Sequence, residues 1–175
     1  MDKGYVANAL EIRKTRPEDF DRLLEIYERA RCFMEETGNP RQWGITHWPP
    51  EDLLHEDIEV GRSYVCTHLG KVVGTFVYIQ GVDVDPTYLN IEDGQWLDDS
   101  EYGAVHRLAS SGEIPGVGTF CLNWAFDQCG HVRVDTHYDN AVLQRLLPKL
   151  GFERTGTIYV VEDNDPRYAY EKVTK

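Results

Sequence analysis

Residues 106–129, HRLASSGEIPGVGTFCLNWAFDQC, decide the fold. The stretch opens as a strand, passes through a turn that holds Gly112, Gly116 and Gly118, and runs on as a helix that stops at Gly130. HVRVDTH (131–137) follows with the alternation of another strand. A strand, a helix and a strand in this order make a crossover unit. Strands joined in this way lie parallel, with a right-handed connection. A helix N-terminus exposes unpaired N–H groups and the positive end of a dipole. Glycines ahead of it let an anion come close to the backbone. A phosphate group is therefore the physical expectation for this turn. The plain alternative is a turn that uses glycine only for its φ freedom.

Outward from this unit the punctuation is clear. ALEIRKT (9–15) alternates as a short strand, and Pro17 sets the first turn of a helix that ends at Gly38. Phe20, Leu23, Leu24, Ile26, Tyr27 and Ala30 give that helix its apolar stripe. A loop with two Trp and three Pro (39–50) leads to a second helix (50–61). Residues 63–81 read as two strands around a tight turn at Leu69-Gly70, and 82–103 as a long acidic connection. A strand at 104–110 enters the crossover unit. After 137 come a helix over 139–152, bent or interrupted near Pro148, and two strands around EDNDP (162–166). The fold class expected is α/β: a mixed, mostly antiparallel central sheet with helices on both faces. No linker or repeat divides it, so residues 1–175 read as one domain, with its core over about 10–173.

The chain has 175 residues, 41% of them hydrophobic, and a net charge of −12. That charge argues against nucleic acid as a partner and fits a cationic small molecule, or simple solubility. No apolar run approaches the roughly 20 residues that span a bilayer. The N-terminus lacks the apolar core of a signal peptide. Cys32, Cys66, Cys121 and Cys129 form no Cys-x-x-Cys pair and read as reduced packing residues. A soluble, cytoplasmic protein without a membrane partner is expected, with a homodimer left open.

Three anion sites could use the glycine turn. A P-loop needs Lys-Ser/Thr after its last glycine, and here Thr119-Phe120 follow Gly118. A dinucleotide fingerprint needs a third glycine, and Cys121 stands in its place. The third is the pyrophosphate of coenzyme A. Here the chain resembles the GCN5-related N-acetyltransferases. Their Gln/Arg-x-x-Gly-x-Gly/Ala motif corresponds to EIPGVG, Glu113 to Gly118. Their later helix motif is matched at Asn140, Leu146, Leu150, Gly151 and Phe152. The resemblance covers residues 10–173 in element order. It implies the acyl-CoA N-acyltransferase fold and acetyl-CoA as cofactor. It implies direct acetyl transfer to a primary amine, with Leu108, Ala109, Ser110, Gly116, Val117, Gly118, Thr119 and Asn140 on the cofactor. Two departures stand out. Glu113 replaces the usual Gln or Arg, and a carboxylate beside a pyrophosphate is unfavourable unless it turns away. Leu147 replaces the tyrosine that often protonates the departing thiolate; a thiolate is a tolerable leaving group without that acid, and another hydroxyl such as Tyr138 or Tyr159 could serve instead.

On the acceptor side, a period of two puts Tyr102, Ala104, His106 and Leu108 on one strand face. His106 is a candidate proton relay, with Tyr102 beside it. A hydrogen-bonded sheet histidine is the competing reading. Glu92 is a second candidate base. Asp93, Trp43 and Trp96 are candidates for the acceptor pocket, the tryptophans through cation–π contact with an amine. Each also reads as packing or as a solvated loop. His131, Asp135 and His137 alternate like ligands but lack a third partner in sight, so no metal is expected. The acceptor is a small-molecule amine or a peptide, with polyamines, aminoglycosides or basic peptides suggested by bulk charge. A non-catalytic acyl-CoA-binding module is the alternative to an enzyme. A nucleotide-binding protein without acyl chemistry survives only if coenzyme A fails to bind.

Overall fold

In the computed structural model residues 9–160 and 163–175 are described. The strands are β1 (Leu10–Lys14), β2 (Ser63–His68), β3 (Lys71–Gly81), β4 (Tyr102–Ser110), β5 (His131–His137), β6 (Glu153–Tyr159) and β7 (Pro166–Val173). They form one sheet in the order β1-β2-β3-β4-β5-β7-β6. β4 and β5 run parallel, as the crossover unit requires, and every other neighbouring pair is antiparallel. β7 slots between β5 and β6, an order that the hairpin pattern alone does not specify. Among the described residues no helix is long and apolar enough to cross a membrane.

Helices cover both faces. α1 (Phe20–Glu36) buries Leu23, Ile26, Tyr27 and Ala30, positions three and four apart that make a single stripe. With Leu54 of α2 (Glu51–Glu59), that stripe packs on Val65, Val72 and Ala109. On the opposite face α3 (Val117–Cys129) lays Val117, Cys121, Leu122 and Ala125 against Cys66, Phe76 and Val105. α4 (Ala141–Lys149) adds Leu147 to the same core. Gly74 lets α3 come this close: a Cβ there would lie 2.5 Å from a Val117 methyl. Pro148 falls in the last turn of α4, so the helix stops after Lys149 rather than bending midway.

Residues 82–101 do not hang free. A 3-10 turn, Pro86–Tyr88, is followed by a stretch in which Glu92 pairs with Thr157 of β6 through two backbone bonds of 2.8 Å.

The main departure from regular geometry lies in β4. Val77 faces His106 and Thr75 faces Ala109, so Phe76 alone opposes both Arg107 and Leu108. This is a β-bulge, and Arg107 takes the left-handed conformation at φ 53°. The period-two face expected for Tyr102, Ala104, His106 and Leu108 therefore ends at His106. Leu108 packs instead with the α3 core, and Arg107 reaches Asp57 of α2 on the His106 side. The buried Tyr27 hydroxyl donates to the Arg107 carbonyl at 2.8 Å and secures the bulge from below. Replacing Tyr27 by Phe strands that carbonyl. Urea unfolding should show a loss of about 1–3 kcal/mol in stability.

Candidate active site

Past Gly103 and Ala104, β4 and β5 part, and their ladder ends. The gap opens into a cavity of about 280 Å³. Val105, Leu108, Val134 and Leu143 line its α3 side. His106, Asp85, Asp135, Trp43 and Trp48 line its α1 side.

His106 is the titratable centre of the cavity. Its Nε2 lies 2.5 Å from Asp85 Oδ2, and its Nδ1 lies 3.9 Å from Asp135 Oδ1. Asp85 is held from three directions. Its side chain accepts the Thr87 amide at 2.9 Å, its own amide donates to the Tyr102 hydroxyl at 3.1 Å, and His106 takes its other oxygen. Burial pushes the Asp85 carboxyl up. The bonds from His106 and Thr87 outweigh that and leave it below the ordinary value, so it stays ionised. Asp135 accepts from the Tyr88 hydroxyl at 2.6 Å. Burial, with Asp135 next to it, raises the Tyr88 phenol well above its usual range, so it remains a donor.

At the other end of the gap Gly116 caps α3 at φ 81°, the left-handed conformation that favours glycine. The Phe120 amide makes the first helical bond, to Gly116 O at 3.0 Å. The amides of Val117, Gly118 and Thr119 therefore lie ahead of the ladder. Nothing would meet a Cβ at Gly116 within 4 Å, so the turn is open to a bulky anion. These donors and this space suit a phosphate group.

Glu113 does not face that space. It bonds to Arg22 at 2.5 Å, Lys71 at 2.6 Å and Arg29 at 2.8 Å. The bonds from Lys71 and Arg22 hold its carboxyl down at about 2. Glu25 also pairs with Arg22 and Arg29, so three cations meet two anions, and the rim of the turn stays positive.

The expected site residues divide by this geometry. His106, Leu108, Trp43 and Asn140 line the cavity. Tyr102 is buried beneath it and supports Asp85. Ala109 turns to the α1 core, Ser110 accepts the Gly112 amide at 3.1 Å, and Val117 anchors α3. Asn140 caps α4 and donates to Gln42 at 3.0 Å, which ties the 39–50 loop to the sheet. Glu92 and Asp93 are exposed along β6, outside the cavity lining. Trp96 is also outside it and packs on Tyr88 and Arg133. Tyr138 and Tyr159 are exposed and are not among the lining residues, and Leu147 is fully buried in the core. Asp85, Tyr88 and Arg107 escaped the sequence reading. The one local signal was Asp85-Pro86-Thr87, a cap-like pattern for a short helical turn.

No family model matches the chain, and no curated protein matches it. Solved structures do. The chain is similar to an acetyltransferase of the GNAT family from Streptococcus agalactiae, at 27% identity and a TM-score of 0.83, over 95% of this chain and 96% of that one. It shares its fold with Arabidopsis thaliana Naa50 in complex with the bisubstrate analogue CoA-Ac-MVNAL, at 15% identity, TM-score 0.60, 95% of this chain and 99% of that one. It also shares it with the ribosomal-protein-S18-alanine N-acetyltransferase of Escherichia coli, at 14% identity, TM-score 0.59, 95% of this chain and 96% of that one.

The Glu113 cluster carries a pH signature. A carboxyl whose pKa falls on folding stabilises the fold above its unfolded value, here 4.5, and that contribution is lost as pH drops toward about 2. Acid titration of stability should therefore show a smaller decline over this window in Glu113→Gln than in the parent protein.

Proposed function

Because the chain is built on the fold of the GCN5-related N-acetyltransferases, we propose that it is an acetyl-CoA-dependent N-acetyltransferase. Its acceptor is the primary amine of a small molecule or peptide terminus. The neighbouring acetyltransferase structures support acyl transfer in general. The observation that carries the finer reading is the parting of β4 from β5, with the Gly116 turn at one end and the His106–Asp85 pair at the other.

In this reading the amides of Val117, Gly118 and Thr119 hold the pyrophosphate, and the open backbone edge of Leu108, Ala109 and Ser110 takes the pantetheine arm. Bound there, acetyl-CoA supplies a thioester carbonyl. A bulge N–H near Leu108 donates to the carbonyl oxygen as its charge grows. Transfer from an arriving ammonium forms one C–N bond and breaks one C–S bond, and the nitrogen loses two protons: the first to water before it attacks, the second from the tetrahedral adduct. Asp85 fixes the Nε2 proton of His106, which leaves Nδ1 free to accept that proton. Asp135, 3.9 Å from Nδ1, holds the arriving ammonium in place. The thiolate departs without an acid, since a thiol pKa near ~8.5 makes it a tolerable leaving group. This reading assigns no step to Glu92, Asp93 or Trp96, which lie outside the cavity lining. The same reading makes the protein cytoplasmic and keeps it off nucleic acid and membranes.

A non-catalytic acyl-CoA-binding module is the second reading, favoured by Leu147 buried where a tyrosine is usual. Thermal shift and turnover separate the two. Acetyl-CoA at about 100 times its dissociation constant should raise Tm by roughly 5–10 °C. Gly116→Val should remove that rise. His106→Gln should keep the rise and lower kcat by about 10²–10⁴-fold. A rise with no turnover of any amine supports the binding module. No rise with acetyl-CoA or coenzyme A overturns both readings.

A further inference from the structure

At the cavity wall two guanidinium groups share a single buried carboxylate. Asp57, 1% exposed, accepts from Arg62 Nε at 2.6 Å and from Arg107 Nε and Nη2 at 3.0 and 2.9 Å. Both arginines line the cavity, and they carry two positive charges against one negative. The other carboxylate near them, Glu56, is 3.6 Å from Arg62 and 59% exposed, where water screens it. Among the described residues neither Arg62 nor Arg107 has a hydrogen-bond acceptor at Nη1. The third arginine of the lining, Arg167, is matched by Asp163 at 2.8 Å.

The bulge sets the place of this excess charge. Arg107 follows His106 in the chain and is turned to the same face, so the arginine pair, with one positive charge in excess of Asp57, stands beside the proton acceptor. Asp85 and Asp135 surround His106 with negative charge. The cavity thus has an acidic pole and a basic pole side by side, with Trp43, Trp48 and Met34 as apolar wall. We infer that the acceptor is a small amine that also bears an anion, a carboxylate or phosphate a few bonds from the reacting nitrogen, as in an amino acid. The inference rests on the acyl-transfer reading of the same cavity. A guanidinium receives a planar carboxylate or a phosphate through paired N–H bonds. A polyamine, which the bulk charge of −12 suggests, would set its second ammonium against Arg62 and Arg107. Charge at contact distance in a cavity outweighs net charge spread over the surface.

The test is turnover with acetyl-CoA of short primary amines matched in length, ending in a carboxylate, a phosphate, a methyl or a second ammonium. The anionic members should exceed the methyl members in kcat/KM by about tenfold or more. Arg62→Met should erase that preference, and Arg62→Lys should restore part of it. A Tm rise with coenzyme A shows that each variant is folded. Equal or better turnover of the methyl or diammonium members overturns the inference and leaves acyl transfer standing. A preference that survives Arg62→Met also overturns it. No turnover of any member, with coenzyme A bound, overturns the inference together with the enzyme reading.

Discussion

The site depends on one extra residue in β4. A non-glycine residue held in the left-handed region costs of order 1–3 kcal/mol, and the strain persists only where the surroundings impose it. Here the Tyr27 hydroxyl grips the Arg107 carbonyl, and Asp57 grips the Nε and Nη2 of the Arg107 side chain. The bulge sends His106 and Arg107 to one face and Leu108 to the other, just beyond the point where β4 leaves β5. A regular strand would have placed Arg107 in the α3 core.

A second constraint holds the 82–101 segment where Asp85 can meet His106. Glu171 is fully buried and accepts from His131 at 2.5 Å, from Arg133 at 3.4 Å and from the Leu97 amide at 2.5 Å. Arg133 lies between the rings of Trp96 and Tyr102, 4.2 and 4.1 Å from their centres, and donates to the Asp98 carbonyl. Buried charge persists only with such partners. Trp96 in turn donates to the Tyr88 carbonyl, and Tyr88 donates to Asp135. The alternation His131, Asp135, His137 resembles a ligand set in the sequence. In the fold it makes three separate anchors, to Glu171, Tyr88 and Asp165. Among the described residues no group of three such side chains gathers to hold a metal ion.

The elements were legible because their signals are local. The α1 stripe, the glycines around α3 and the alternation of β5 each lie within one stretch of chain, and each formed as read. His106 was legible as a titratable residue on the right strand, but its partner was not. Asp85 is 21 residues away, in an acidic segment from which the sequence reading singled out Glu92 and Asp93 instead. Glu113 looked adverse because the sequence shows its neighbours in the chain, not Arg22 and Lys71, which are 91 and 42 residues away.

The sequence by itself determined the element order, the crossover unit and the open turn at Gly116, because periodicity and φ preference act between near neighbours. Tertiary structure alone decided which side chains share the cavity, how β7 enters the sheet, and which face Leu108 takes. Those outcomes rest on a bulge held by Tyr27 and Asp57 and on charge pairs closed across tens of residues. The energy of such contacts appears only when the chain has folded.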